Sequence, residues 1–239
     1  MSFIKVSSFG AYLTSWIIEG REVLYQGTEL KRTGIPFLFP NFDAGAPLPS
    51  HGFGRVSNWQ LIKNSPDCVQ LRLTENDITP EYRQIYPYKF IADLKITTKN
   101  NQLDYLLEVK NLSLKKLPIS PGLHPYWPVK HEEKSKIKLT NFPQFNPASV
   151  NWDTNPPNSL YDFKDELTAN FPEYQLIIKD LSYNFSHLQI WSQNTTFPDF
   201  NYVCFEPVTR PPNGINTDPI LINPNSKAKF HLQFQIIFP

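Results

Sequence analysis

The end of this chain alternates with a period of two. Phe230, Leu232, Phe234, Ile236 and Phe238 are interleaved with Lys229, His231, Gln233 and Gln235. Successive side chains of a β-strand point to opposite faces, so this pattern gives one apolar and one polar face and does not suit a helix. The same period recurs at Tyr12, Thr14, Trp16 and Ile18, at Val69, Leu71 and Leu73, at Phe90, Ala92, Leu94 and Ile96, and at Leu103, Tyr105, Leu107 and Val109. The chain holds 23 prolines and few helix-forming blocks. Proline gives no N–H to a ladder and so marks loops and strand ends. Many short strands without intervening helices predict a large antiparallel sandwich. Asn100-Asn101 separates two alternating runs and reads as a hairpin turn. Thr79-Pro80-Glu81 reads as the start of a turn or two of helix. The Asn- and Pro-rich stretch 141–157, with Trp152 inside it, reads as a long surface loop.

A length of 239 residues fits one all-β domain over 1–239, large enough to bury its own core. The 23 Lys and Arg nearly balance 22 Asp and Glu, which gives no reason to expect nucleic acid or an anionic membrane as partner. Cys68 and Cys204 are far apart, and with five scattered His they make no zinc pattern. Met1-Ser2-Phe3-Ile4-Lys5 lacks a signal-peptide core, and no apolar run approaches a membrane span. The expectation is a soluble cytoplasmic protein with reduced cysteines. The oligomeric state is not readable from these features.

Three segments break the strand pattern and concentrate polar groups: residues 34–40 leading to 48–55, residues 120–127, and residues 201–213. Glu206 follows an apolar run and precedes Pro207, which suits a carboxylate held at a strand end. Burial there would raise its pKa and strengthen it as a base, although an edge carboxylate paired with Lys or Arg fits the same pattern. His124 stands between Gly122 and Pro125 beside two aromatics, as a proton donor or as a core histidine bonded to backbone. His51 precedes Gly52 and reads as a substrate donor or as a turn residue. Arg32, Arg55 and Arg83 are candidate binders of phosphate or hydroxyls, or solvated charges. Trp127, Trp191 and Phe53 could stack on a sugar or fill the core.

Together these segments resemble the aldose 1-epimerase (galactose mutarotase-like) superfamily, most closely its hexose-6-phosphate 1-epimerase branch. The resemblance is carried by Arg32-Thr33-Gly34-Ile35-Pro36 with Phe39-Pro40, by Leu48-Pro49-Ser50-His51-Gly52-Phe53-Gly54-Arg55, by Gly122-Leu123-His124-Pro125-Tyr126-Trp127 and by Cys204-Phe205-Glu206-Pro207-Val208-Thr209, in the family's order. It implies an antiparallel β-supersandwich with a sugar in a cleft on one sheet face. It further implies His124 as general acid, Glu206 as general base, and His51, Arg32, Arg55, Arg83 and Asp162 as substrate-binding residues. Thr33 stands where the family has Gly, Val208 where many relatives have Trp, and the connection 43–46 is short; these departures bear on the substrate. The implied reaction is ring opening and reclosure of an aldose or hexose 6-phosphate, needing no metal or other cofactor. A non-catalytic sugar-binding or sugar-sensing protein on the same sandwich is the competing expectation, with a lyase or hydrolase behind it.

Overall fold

A computed structural model describes residues 1–239. An antiparallel sheet of eight strands forms its larger layer. In spatial order these strands are Lys138–Leu139, Glu166–Asn170, Gln175–Asp180, Lys227–Ile237, Gln102–Asn111, Phe90–Lys99, Cys68–Thr74 and Gln60–Ser65. The alternation read from sequence sets its buried face. Leu232, Phe234 and Ile236 lie inward beside Leu103, Tyr105 and Leu107, all 3% exposed or less. Full burial of each such side chain contributes about 1.5–3 kcal/mol, so this layer is a major source of stability.

A second antiparallel sheet runs in the order Asn158–Asp162, His187–Trp191, Tyr202–Val208, Gly122–Leu123 and Phe37–Leu38, with Tyr126–Pro128 also paired to Tyr202–Val208. Its inner residues Leu188, Ile190, Val203 and Phe205 join residues of the larger sheet in one apolar core running from Ile4 to Ile236. Phe171 meets Phe205, and Trp127 meets Phe234, with ring centroids 6.1 and 5.6 Å apart. A three-stranded sheet at the N-terminus and the pair Leu117–Ile119 with Ile220–Ile222 complete the architecture. The result is the antiparallel β-sandwich that the strand pattern predicts.

Local readings hold with one correction. Lys99 ends one strand and Gln102 begins the next, with Asn100 at φ 56° in the turn. Thr79 caps the helix Pro80–Ile85 by accepting from the Tyr82 N–H. Residues 141–157 are mostly loop but do not simply cover the surface, because Phe142, Phe145 and Trp152 are buried. Trp152 donates its indole N–H to the Pro147 carbonyl at 3.1 Å. An aromatic with its one polar group satisfied loses nothing by burial, and this pins the loop inward. Both cysteines are free and buried. No helix is long and apolar enough to cross a membrane.

Candidate active site

The strand Tyr202–Val208 is buried on both faces. Val203 and Phe205 point into the core, so Tyr202, Cys204, Glu206 and Val208 point to the opposite side. Strand register decides what meets Glu206 there. Gly122 pairs with Val208 and Tyr126 with Cys204, which leaves His124 midway, across from Glu206. On the other side Gln189 pairs directly with Glu206. Residues 82 positions apart in sequence thereby meet in one row across the sheet. His124 Nε2 lies 3.4 Å from Glu206 Oε1.

The imidazole is held by its surroundings. The backbone N–H of His124 donates to the Pro36 carbonyl at 3.0 Å. Its ring stacks on Tyr126, 4.7 Å between centroids and 13° from parallel, and meets Trp191 edge-on. His124 and Glu206 are only 8% and 1% exposed. Burial pushes the His124 pKa well below the ordinary imidazole value, reinforced by His51 and Arg55 nearby. Burial also pushes Glu206 well above the carboxylate range, with Asp43 adding to the rise and Arg55 opposing it. Both effects disfavour charge on the pair.

Glu206 differs from the other buried carboxylates. Asp199 accepts from Tyr25 Oη, from the Thr28 N–H and from Thr28 Oγ1. Asp180 accepts from the Ser182 N–H and Oγ and from the Phe185 N–H. Those groups hold loops in place. The Glu206 carboxylate takes no hydrogen bond from the protein, and its close polar neighbour is His124.

His51 approaches from a tight turn. It has φ 63° and Gly52 has φ 74°. A Cβ on Gly52 would lie 2.1 Å from the Phe39 carbonyl oxygen, so only glycine fits. The Asp43 N–H donates to His51 Nδ1 at 3.1 Å. The ring proton therefore sits on Nε2, and burial with Arg55 nearby lowers the pKa to about 4. His51 is a neutral donor at physiological pH, with its ring 5.7 Å from that of His124.

These groups line a cavity of about 320 Å³ with Lys31, Arg32, Arg55, Asp43, Phe42, Asn158, Gln189, Tyr126 and Trp191. Its size lies within the range for small-molecule sites. A cavity of about 470 Å³ elsewhere, walled by Phe171, Tyr174 and Phe238, contains no histidine. The smaller one, with its convergent polar groups, is the candidate active site.

Of the residues expected from sequence, His124, Glu206, His51, Arg32 and Arg55 converge here. Arg83 and Asp162 do not line this cavity. Arg83 lies exposed on the helix Pro80–Ile85. Asp162 lies exposed at the far end of Asn158–Asp162, paired with His187. Trp127 and Phe53 are wholly buried in the core, and only Trp191 of the three proposed stackers reaches the cavity. Sequence reasoning missed Gln189 and Asn158, which join through Gln189 Nε2 donating to Asn158 Oδ1 at 2.7 Å. Alternation of His187, Gln189 and Trp191 with Leu188 and Ile190 was the available signal.

Fold and site define a β-sandwich protein with a polar cavity on a sheet face and a buried imidazole–carboxylate pair in its wall. The chain belongs to the aldose 1-epimerase family, whose model matches residues 2–185. An uncharacterised protein of Escherichia coli K12, YphB, is 25% identical over 125 residues, 52% of this chain and 38% of that protein. The matched region thus spans well under half of that relative. Among solved structures, the Slr1438 protein of Synechocystis sp. PCC 6803 superposes with a TM-score of 0.83 at 19% identity, covering 99% of this chain and 92% of that one. Galactose 1-epimerase from Lactobacillus acidophilus NCFM gives 0.67 at 14% identity, covering 99% and 91%. A galactose mutarotase-like protein from Clostridium acetobutylicum gives 0.77 at 17% identity, covering 100% and 92%. These likenesses establish the fold.

Proposed function

We propose that this protein interconverts the α and β anomers of an aldose by opening and reclosing the hemiacetal ring, with Glu206 as base and His124 as acid. The observation that carries this reading is the 3.4 Å approach of His124 Nε2 to Glu206 Oε1 in the cavity wall. The anomeric hydroxyl and the ring oxygen share one carbon, so a carboxylate and an imidazole that close can serve both. Glu206 carboxylate takes the hydroxyl proton while imidazolium gives its proton to the ring oxygen, and the ring C–O bond breaks. The open aldehyde rotates about its C1–C2 bond. Reclosure on its other face returns both protons and yields the other anomer.

The pair holds one mobile proton through this cycle. Before opening it is carboxylate and imidazolium; after opening it is carboxylic acid and neutral imidazole. Burial favours the second, uncharged arrangement. The neutral Nε2–H of His51 can donate to a sugar oxygen without carrying a charge into the site.

Lys31, Arg32 and Arg55 line the same cavity, which supports a phosphorylated hexose as the better substrate. Glucose 6-phosphate should then turn over faster than glucose, with the preference shrinking as salt rises. Equal rates on the two sugars remove the phosphate assignment.

The central test is anomer exchange by NMR with Glu206→Gln and His124→Asn. Each proton transfer supplies on the order of 100- to 10,000-fold, so either variant should lose that much and remain folded. Unchanged exchange in a folded variant refutes the assignment of that residue. Sugar binding with no acceleration by the wild-type protein would make it a sugar-binding protein instead.

A further inference from the structure

Cys204 and Glu206 stand two residues apart on the strand Tyr202–Val208 and therefore share a face. His124 meets them from the paired segment. One ligand atom from each of the three lies within 4.8 Å of the other two, and all three residues are buried. None is committed to a structural hydrogen bond through these side chains. Cys204 is a free thiol, His124 Nδ1 has no partner, and Glu206 accepts nothing from the protein.

We propose that His124, Cys204 and Glu206 form a binding site for a borderline-soft divalent cation of the Zn²⁺ type, which on binding occupies the imidazole–carboxylate pair. The geometry is close to what such an ion needs. Zinc bonds of about 2.0–2.2 Å to nitrogen and oxygen imply a tetrahedral edge of roughly 3.3 Å. The imidazole–carboxylate separation is 3.4 Å. The sulfur, bonded at about 2.3 Å when it ligates, must close in from within 4.8 Å to complete the triangle. A nitrogen, a sulfur and an oxygen donor suit Zn²⁺ or Co²⁺ and not Mg²⁺ or Ca²⁺, which prefer all-oxygen shells. Binding releases the protons of the Cys204 thiol and the Glu206 carboxyl to solvent, and the resulting thiolate and carboxylate supply two negative charges to the ion. Arg55 and Lys134 oppose it, which favours a reversible site over a permanent one. His124 and Glu206 line the cavity, so an ion held by them meets a sugar in direct competition.

This inference goes beyond the proposed epimerase reaction, and its primary readout does not require that reaction. Titration of Co²⁺ into the intact protein should bind one equivalent and develop near-ultraviolet thiolate-to-cobalt absorption, which Zn²⁺ then displaces. Cys204→Ser should abolish the absorption, while Cys68→Ser retains it. His124→Asn should weaken Co²⁺ binding by more than about a hundredfold, beyond the effect of losing a merely supporting partner. Absence of the band in wild-type protein, or its survival in Cys204→Ser, overturns the proposal. Should Cys204→Ser fail to fold, the wild-type spectrum and His124→Asn decide it, and unchanged affinity in His124→Asn overturns it. With a measurable anomer exchange, Zn²⁺ at one equivalent should suppress it and a chelator should restore it.

Discussion

Lys134 offers the sharpest test of how the scaffold holds the cavity. Its side chain is wholly buried. Its Nζ donates to Ser192 Oγ at 2.9 Å and to the Gln193 carbonyl at 3.0 Å, and lies 5.5 Å from the centre of the Trp152 ring. No carboxylate forms an ion pair with it. The ammonium thereby ties the 3-10 helix His131–Lys136 to the end of the strand that carries Gln189 and Trp191. Burial lowers its pKa from 10.5 to about 8. A lowered lysine pKa means that the unfolded chain binds the extra proton between those two values. The penalty of burying the charge is in full force below about pH 8 and is relieved as pH rises toward 10.5. The whole shift corresponds to about 3 kcal/mol, of which about 2 kcal/mol is recovered between roughly pH 7.5 and 9.5. With a urea m-value of about 2–3 kcal/mol/M, Lys134 contributes a rise of roughly 0.7–1 M in the wild-type midpoint over that interval relative to Lys134→Met, while the buried Cys204 thiol, pushed up by burial, lowers both midpoints alike. Lys134→Met fills similar volume without a charge and should lose this rise. Urea unfolding at the two pH values, followed by tryptophan fluorescence, measures both. Parallel midpoints in wild type and Lys134→Met would refute the argument that a solitary buried ammonium sets the slope.

Further expectations follow from the cavity and its turn. Gly52→Ala forces a side chain onto a backbone at φ 74° and ψ 170°, a region essentially open only to glycine, and against the Phe39 carbonyl; it should cost more than about 2 kcal/mol in urea unfolding, since such a conformation costs about 1–3 kcal/mol before the clash is counted. Gln189→Ala removes the amide that pairs with Asn158 beside Glu206; one hydrogen bond of about 0.5–1.5 kcal/mol predicts a KM increase of roughly 2- to 10-fold with kcat little changed. Arg83→Ala and Asp162→Ala, both outside the cavity, should leave kcat/KM within about twofold, as surface changes away from a site do. Arg55→Ala should weaken hexose 6-phosphate more than hexose, measured as the ratio of the two kcat/KM values.

The sandwich was legible because its strands are half-buried. Each inward residue of Lys227–Ile237 and Gln102–Asn111 shows as an apolar position with a polar neighbour. The row His124–Glu206–Gln189 was not legible in the same way. It depends on which strands pair and in what register, and no local period encodes the pairing of Tyr126 with Cys204 or of Gln189 with Glu206. Motif resemblance singled out His124 and Glu206 without that knowledge. It also singled out Arg83 and Asp162, where charge type matched but the backbone leads away from the cavity. The His–Cys–Glu cluster escaped for the same reason as the row. Metal spacing rules read ligands close in sequence, and here His124 and Cys204 come from different segments.

The contrast among buried carboxylates argues for chemistry at Glu206 independently of any motif. A buried ionised group is tolerated when hydrogen bonds replace its lost hydration. Asp199 meets that requirement, and donors from Thr28 and Tyr25 draw its pKa down despite burial. Its charge is stable, and its role is to hold a loop. Glu206 is as deeply buried yet receives no donor, and its pKa moves the other way. A fold under selection for stability alone would gain by placing an apolar residue there, as at Phe205 one position earlier. In the reaction proposed above, the imidazole 3.4 Å away exchanges a proton with the carboxylate as a substrate hydroxyl supplies or accepts one. The under-satisfied state that weakens the folded protein is the state that leaves a base free to react.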